Sequence, residues 1–500
     1  HLLSSTPITV VAVDYARYSF DAANILPVQS LGTNYMVQTY GSEYANPYSL
    51  FTPNPSQLLI IAIEDDTKID ITSNTLTKTD RIGRYTIYLD RGDAVFYQSV
   101  GGVSFSGTIV NSYGKNIAVF AGDECTQVPN NAAAACDHLY EQVPHLQSLG
   151  GDYVLTNAYG HSADNVLITA AFDETAVLLD GVVLDTLNAG ETYSIILKAN
   201  NSAKFLHTSK PSLCMMYTPS EQAHGAYGTQ AGDPCMIMMN PIQQMTKEGL
   251  FRTLQSEILQ HNYVNIVTPT SGLNSMYLDE QLIPASNFVA VPYNDTLSIA
   301  RISLTQGIHK LTNEAGFIAF VYGFAETESY GYSLAANYVN LQKELTVQDT
   351  ICHGLTYTFH GKEFTETGIY PIMVDDNDTI FTLMLEVLPA LEGMAIYDTI
   401  CFGSPYEWNG KEYTQPGTYK ATLVSTQGCD SVVTLNLVMT PLMKSTTRDT
   451  ICEGETYIWN GKKYTTPQTD EILLTSAAGC DSLSKLELFV RSREHTEVPV

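Results

Sequence analysis

Near its C-terminal end the chain repeats one short phrase three times: Asp349-Thr350-Ile351-Cys352, Asp398-Thr399-Ile400-Cys401 and Asp449-Thr450-Ile451-Cys452. The copies begin 49 and 51 residues apart, and the second and third lead into Tyr406-Glu407-Trp408-Asn409-Gly410-Lys411 and Tyr457-Ile458-Trp459-Asn460-Gly461-Lys462. Repetition at this period marks a row of small modules rather than one large core. The two Trp residues of the chain, Trp408 and Trp459, fall at the same place in their repeats, where Phe359 stands in the first. A position that keeps a large aromatic is expected to plug a small core.

Cys401 and Cys429 are 28 residues apart, as are Cys452 and Cys480, and both second cysteines lie in Gly-Cys-Asp-Ser. Modules this small bury too little apolar surface to be secure alone, so a staple of ~2–4 kcal/mol in each is physically sensible. The spacing predicts the bridges Cys401–Cys429 and Cys452–Cys480. In the first repeat Asn377 takes the place of the second cysteine, which leaves Cys352 free. A zinc site is disfavoured, because no Cys-x-x-Cys or His-x3–5-His accompanies these cysteines.

Five hundred residues predict several domains. The net charge of −28, from 53 acidic and 25 basic side chains, argues against nucleic acid or an anionic membrane as partner. No 18-residue apolar run exists to span a bilayer as a helix, and the chain starts at His1 without Met or a leader, which reads as a processed start. With the expected disulfides, these features place the protein outside the cell or on its surface. The 31 Tyr and many short Val, Ile and Thr runs, bounded by Gly, Pro, Asn and Asp, predict antiparallel strands joined by turns. The expected class is all-β.

A longer repeat lies in the first 340 residues. Gln29-Ser30-Leu31-Gly32 with Tyr35 recurs as Gln147-Ser148-Leu149-Gly150 with Tyr153, and Ala62-Ile63-Glu64-Asp65-Asp66-Thr67 recurs as Ala170-Ala171-Phe172-Asp173-Glu174-Thr175. A third, diverged copy follows. The chain is therefore expected to hold a head over 1–340, made of three related β-sandwich units at about 22–124, 137–220 and 236–335, and modules at 341–390, 391–441 and 442–500. Cys125 and Cys136 bracket one joint between units, and Cys214 and Cys235 another. Local disulfides across each joint are favoured over free buried thiols.

Three separated motifs, Cys136-Asp137-His138-Leu139-Tyr140-Glu141-Gln142-Val143-Pro144, Gly232-Asp233-Pro234-Cys235-Met236 and Ser329-Tyr330-Gly331-Tyr332, resemble in order and spacing the landmarks of the N-terminal domain of the IgG-Fc-binding protein family. The resemblance covers roughly residues 20–340 and implies an extracellular binding or adhesion role. The three modules are similar to the short Ig-like repeats appended to secreted or surface proteins of Gram-negative gut-type bacteria.

Signals for chemistry are few. There is no Gly-x-Ser-x-Gly, His-Glu-x-x-His or phosphate-cradling loop, so no catalytic residue, metal or cofactor is assigned. Asp233-Pro234 resembles the self-cleaving bond of von Willebrand D modules, but Cys235 stands where those have His, and a turn is expected. Glu64-Asp65-Asp66 and Asp375-Asp376-Asp378 lack EF-hand spacing and read as strand-end turns rather than calcium sites. His138, Glu141 and Gln142 read as polar groups satisfying a joint, and Met236, Met238 and Met239 as core. Ligand-contact candidates are His138, Glu141 and the tyrosines Tyr227 and Tyr330, with Tyr44 and Tyr48 beside them. The favoured function is an adhesin that binds a host or matrix protein or glycoprotein, with immunoglobulin or mucin as partner classes. The alternatives are recognition of mucus sugars, or a hydrolase with its site at a unit joint.

Overall fold

The computed structural model describes residues 2–6, 8–16, 19–42, 53–129, 136–198, 203–220, 232–254, 259, 261–325, 328–334, 336–374, 379–389, 391–424, 429–477 and 479–492. The chain is all-β, with short 3-10 turns between strands. It divides into two compact units, His1–Asp349 with Gly368–Leu385, and Thr350–Thr367 with Glu386–Val500.

The first unit opens with a hairpin of β1 (Val11–Ala16) and β2 (Ser19–Asn24). A first set follows: β3 (Asn34–Met36), β4 (Ser56–Ala62), β5 (Thr67–Ser73), β6 (Gly83–Leu89), β7 (Ala94–Gln98), β8 (Ile109–Asn111), β9 (Ile117–Thr126) and β10 (Asp137–Gln142). Its sheets run β10-β9-β4-β7 and β3-β8-β5-β6. The second set is β11 (Asp152–Leu155), β12 (Ala163–Ala170), β13 (Thr175–Leu179), β14 (Val182–Leu187), β15 (Thr192–Lys198), β16 (Lys204–Thr208), β17 (Ser212–Tyr217) and β18 (Met236–Met238). Its sheets, β18-β17-β12-β15 and β11-β16-β13-β14, repeat the first order strand for strand.

The third set holds β19 (Thr246–Arg252), β20 (His261–Pro269), β21 (Tyr277–Leu278), β22 (Gln281–Leu282), β23 (Val289–Val291), β24 (Asn294–Leu304), β25 (Ile308–Phe324) and β26 (Ser329–Leu334). Here one 17-residue strand, β25, takes the places held by β8 and β9 in the first set and by β16 and β17 in the second. It pairs with β19 and β21 along its first half and with β20 and β26 along its second, so the two sheets become one.

The repeated motif has a physical cause. In each of the first two sets a 3-10 turn delivers a Gly, and the following Tyr ties that turn to the closing strand. Tyr35 Oη accepts from Gly32 N–H at 2.8 Å and donates to Ile117 O at 2.6 Å. Tyr153 Oη donates to Ser212 O at 2.5 Å. The third set keeps the 3-10 turn, Ile242–Gln244 after Pro241. The acidic turns are likewise structural: Thr67 Oγ1 donates to Glu64 O and Thr175 Oγ1 to Phe172 O, while the Asp65 and Asp173 carboxylates accept from Arg91 N–H and Ala189 N–H. Asp375, Asp376 and Asp378 lie outside the described residues.

The sets share cores. On β17 the side chains Leu213, Met215 and Tyr217 enter the first core, while Cys214 and Met216 enter the second. A strand buried on both faces needs a continuous apolar run, as Leu213 to Tyr217 provides. β25 sits the same way, with Phe320, Tyr322 and Phe324 in the second core and Phe317, Ala319 and Val321 in the third.

The repeats begin with β27 (Lys343–Cys352), β28 (Tyr357–Phe359), β29 (Lys362–Phe364), β30 (Gly368–Met373) and β31 (Thr379–Leu388). The second repeat has β32 (Leu391–Cys401), β33 (Tyr406–Trp408), β34 (Lys411–Tyr413), β35 (Gly417–Val424) and β36 (Asp430–Thr440). The third has β37 (Met443–Cys452), β38 (Tyr457–Trp459), β39 (Lys462–Tyr464), β40 (Gln468–Thr475) and β41 (Asp481–Arg491). Each aromatic-bearing hairpin turns on two left-handed residues, such as Asn409 (φ 49°) and Gly410 (φ 68°), the conformation that a two-residue type I′ turn demands. Trp459 is buried with Tyr464, Leu486 and Leu488, and Trp408 is half-buried against Leu435 and Leu437.

The repeats depart from the expected antiparallel pairing and from the expected bridges, and Cys352, expected free, is bonded. The first and last strands of the second and third repeats run parallel, not antiparallel: Cys401 pairs with Thr440, and Cys452 with Arg491. Cys429 and Cys480 stand at the opposite end, just before β36 and β41. About ten residues at ~3.3 Å separate the two cysteines of one repeat, roughly 33 Å, whereas a disulfide needs Cα atoms within ~7 Å. The bridges therefore cross from repeat to repeat, as Cys352–Cys429 and Cys401–Cys480, with Cα separations of 5.4 and 5.2 Å, and Cys452 is free. Asn377 lies outside the described residues.

In the head, Cys125–Cys136 is bridged, but Cys214 and Cys235 are free and buried. The register of β17 against β18 explains this. Met239 N–H donates to Cys214 O and Thr218 N–H to Cys235 O, which places the two cysteines some four rungs, or ~13 Å, apart.

Candidate functional site

The three family-like motifs lie at one place. Strand β10 closes the first set, β18 the second and β26 the third; β10 and β26 pack on β2, and β18 packs on both of them. Edge strands carry unpaired N–H groups, and here carboxylates of neighbouring strands satisfy them. Asp21 on β2 accepts from Tyr140 N–H at 3.3 Å and from Met236 N–H at 3.4 Å. Glu141 accepts from Met238 N–H at 3.0 Å, and Asp137 from Phe20 N–H at 3.4 Å. Gln142 Oε1 accepts from Leu26 N–H at 2.8 Å, and Asp233 N–H donates to Ser329 Oγ at 2.6 Å. Close approach is built in. A Cβ on Gly331 would come within 2.3 Å of Ile237, which is why Gly stands between Tyr330 and Tyr332.

Burial dominates the electrostatics of this hub. It pushes Glu141 up to about 8 and raises Asp21 and Asp137 well above the usual carboxylate range, with the mutual repulsion of Asp21 and Glu141 adding to the effect on Asp21. Asp123, which accepts from Tyr40 N–H, Gly41 N–H and Ser56 Oγ, is raised to about 6 by burial. These acids are buried hydrogen-bond acceptors for backbone N–H groups rather than surface charges.

The candidate contact residues divide accordingly. Tyr330 is fully buried and donates to Asn262 Oδ1 at 2.6 Å, so it is core, not ligand surface. Glu141 is 1% exposed and occupied by Met238. His138 is half-buried on the outer face of β10, stacked on Tyr140, with Nδ1 2.6 Å from Asp14; burial lowers its pKa and Asp14 opposes that. Tyr44, Tyr48 and Tyr227 lie outside the described residues. Met236, Met238 and Met239 are buried, as read from the sequence.

Sequence reasoning missed a second polar network, between the second and third sets. His161 Nδ1 lies 2.7 Å from Asp164 Oδ1, both side chains sealed from solvent, and Asp164 also accepts from Ala158 N–H. Asn265 Nδ2 donates to Thr156 Oγ1, and Tyr322 Oη to Asn265 Oδ1, both at 2.8 Å. No local motif marks these residues, since they come from distant strands.

The two joints that leave the hub adjoin at their bases. Ser220 N–H donates to Val128 O at 2.8 Å and Val128 N–H to Ser220 Oγ at 3.1 Å, with the Cys125–Cys136 bridge closing the first joint. Elsewhere an apolar groove of about 290 Å³ is lined by Thr9, Val11, Val13, Leu250, Arg252 and Ile308.

Strand sets fused through shared cores and buried carboxylates make up the first unit. Residues 21–323 match the family described as IgGFc binding protein, and the chain belongs to that family. No curated protein matches the chain. Among solved structures, the viral chemokine binding protein R17 of rodent gammaherpesvirus Peru aligns over 64% of this chain and 89% of its own. At 7% identity and a TM-score of 0.15, that likeness carries no weight for fold or function.

Proposed function

We propose that this chain is an exported bacterial surface protein whose head recognises a host or matrix protein or glycoprotein, with immunoglobulin and mucin as the first classes to test. The observation that carries this reading is the family match over residues 21–323, which takes in the first two of the three motifs that build the hub. Those motif residues are consumed in holding strands together, so recognition falls to what the scaffold displays. The recognition surface is the pair of joints at residues 121–145 and 219–245, whose bases are bonded to one another. The repeats act as an appended run of Ig-like modules, and their disulfides suit an oxidising compartment.

The test is retention of mucus and serum proteins on the immobilised full chain, followed by titration with purified immunoglobulin Fc and mucin. A folded chain that retains neither, nor any other host glycoprotein, would overturn the proposal. Replacing residues 221–231 by a Gly/Ser linker should abolish retention without lowering the melting temperature. Unchanged retention would move the surface elsewhere.

A further inference from the structure

Each repeat ends its first strand with the same device. Cys352, Cys401 and Cys452 each accept, through their carbonyls, an N–H three residues on, from Leu355, Ser404 and Glu455. The next residue, His353, Phe402 or Glu453, donates its N–H to the end of the last strand, at Leu388, Thr440 or Arg491. Because first and last strands run parallel, this cysteine lies at the end where the chain leaves the repeat. The turn cysteine lies at the end where the chain enters.

The consequence is a ladder with one direction. The strand-end cysteine of the first repeat bonds the turn cysteine of the second, and that of the second bonds the turn cysteine of the third. Both turn cysteines are buried by this, at 6% and 8% exposure. Cys452 occupies the same position as Cys352 and Cys401, in the same turn, and is exposed with a free thiol.

We propose that Cys452 is the open rung of this ladder and forms a disulfide with the turn cysteine of a further module of the same type, one carrying Gly-Cys-Asp-Ser between its last two strands. That module is supplied either by chain beyond residue 500 or by a second polypeptide. In the bonding step the two thiols lose two protons and two electrons to a disulfide oxidant of the exported compartment, which leaves as two thiols. The bond locks the exit end of the third repeat against the entry end of its neighbour, as the two existing bridges do within the chain.

The test uses the protein as its cells export it, with free thiols alkylated at harvest and digestion without reduction. The expected product is the Cys452 peptide linked to a Gly-Cys-Asp-Ser peptide. Migration on a non-reducing gel separates the sources: a single-chain band marks a module of the same polypeptide, and a reducible larger species marks a second one. Recovery of Cys452 mainly as the alkylated thiol, or bonded to a cysteine outside such a turn, overturns the proposal. A second arm appends a duplicate of residues 442–492 after residue 492 of the chain and oxidises it in a glutathione redox buffer. Cys452 should bond the duplicate's turn cysteine and leave the duplicate's strand-end cysteine free. A bond between the duplicate's own two cysteines, or a Cys452 that stays reduced, also overturns it.

Discussion

Replacing Glu141 by Gln in the hub should make the head more stable at alkaline pH and leave it nearly unchanged at pH 4.5 and below. Burial raises the Glu141 carboxyl from 4.5 to about 8. Below pH 4.5 both folded and unfolded chains hold the proton, and the group contributes nothing to pH dependence. Between 4.5 and 8 the unfolded chain releases the proton while the folded chain keeps it. Stability therefore falls as pH rises through that window. At ~1.4 kcal/mol per pH unit the loss is roughly 3 kcal/mol at pH 7 and ~5 kcal/mol above pH 8. A Gln keeps an oxygen for Met238 N–H and cannot ionise, so this loss disappears. For a large domain, ~2 °C per kcal/mol converts the difference to roughly 10 °C in melting temperature at pH 9. Since Trp408 and Trp459 both lie in the repeats, Trp fluorescence follows the repeats as an internal reference, and the transition it does not report belongs to the head. Equal pH slopes for Glu141→Gln and the parent, or a variant less stable at pH 9, would refute the account of a buried, proton-holding acid.

Further outcomes follow from the same geometry. Peptide mapping without reduction should return Cys352–Cys429 and Cys401–Cys480, each closing a loop of nearly 80 residues worth ~4.5 kcal/mol in the chain-entropy account; a Cys401–Cys429 peptide would contradict the parallel pairing. Trp459→Ala should cost ~3–5 kcal/mol and expose the third repeat to proteolysis, while Trp408→Ala, at a half-buried site, should cost less; equal losses would show that burial is not what separates them. Tyr35→Phe removes the donor to Ile117 O and should lower head stability by ~1–3 kcal/mol in urea unfolding, with no change expected at the exposed Tyr88. Gly32→Ala would press a Cβ to within 2.5 Å of the His145 ring and should destabilise the head by ~1–3 kcal/mol; a neutral result would mean that the ring can move aside.

Much of this molecule is legible in its sequence because strand formation and core filling are local. Alternating apolar residues, Asn-Gly turns and the repeated Gln-Ser-Leu-Gly-x-x-Tyr phrase each act within a few residues, so the all-β class, the Met core and the buried Trp459 could be read from them, while Trp408, read the same way, is only half-buried. The bridge Cys125–Cys136 was equally legible, since its two ends flank one joint. The hub was not. Tyr330 looks like a ligand tyrosine in sequence and is core in space, because β26 is wrapped by β2 and β18, which are distant in the chain. The pairing of the repeat cysteines lay furthest from local reach. A spacing of 28 residues within a repeat and of 77 or 79 across repeats joins the same kinds of residue, and both satisfy the repetition. Only the parallel register of first and last strands, which holds the two cysteines of one repeat at opposite ends of its sheet, decided which could meet.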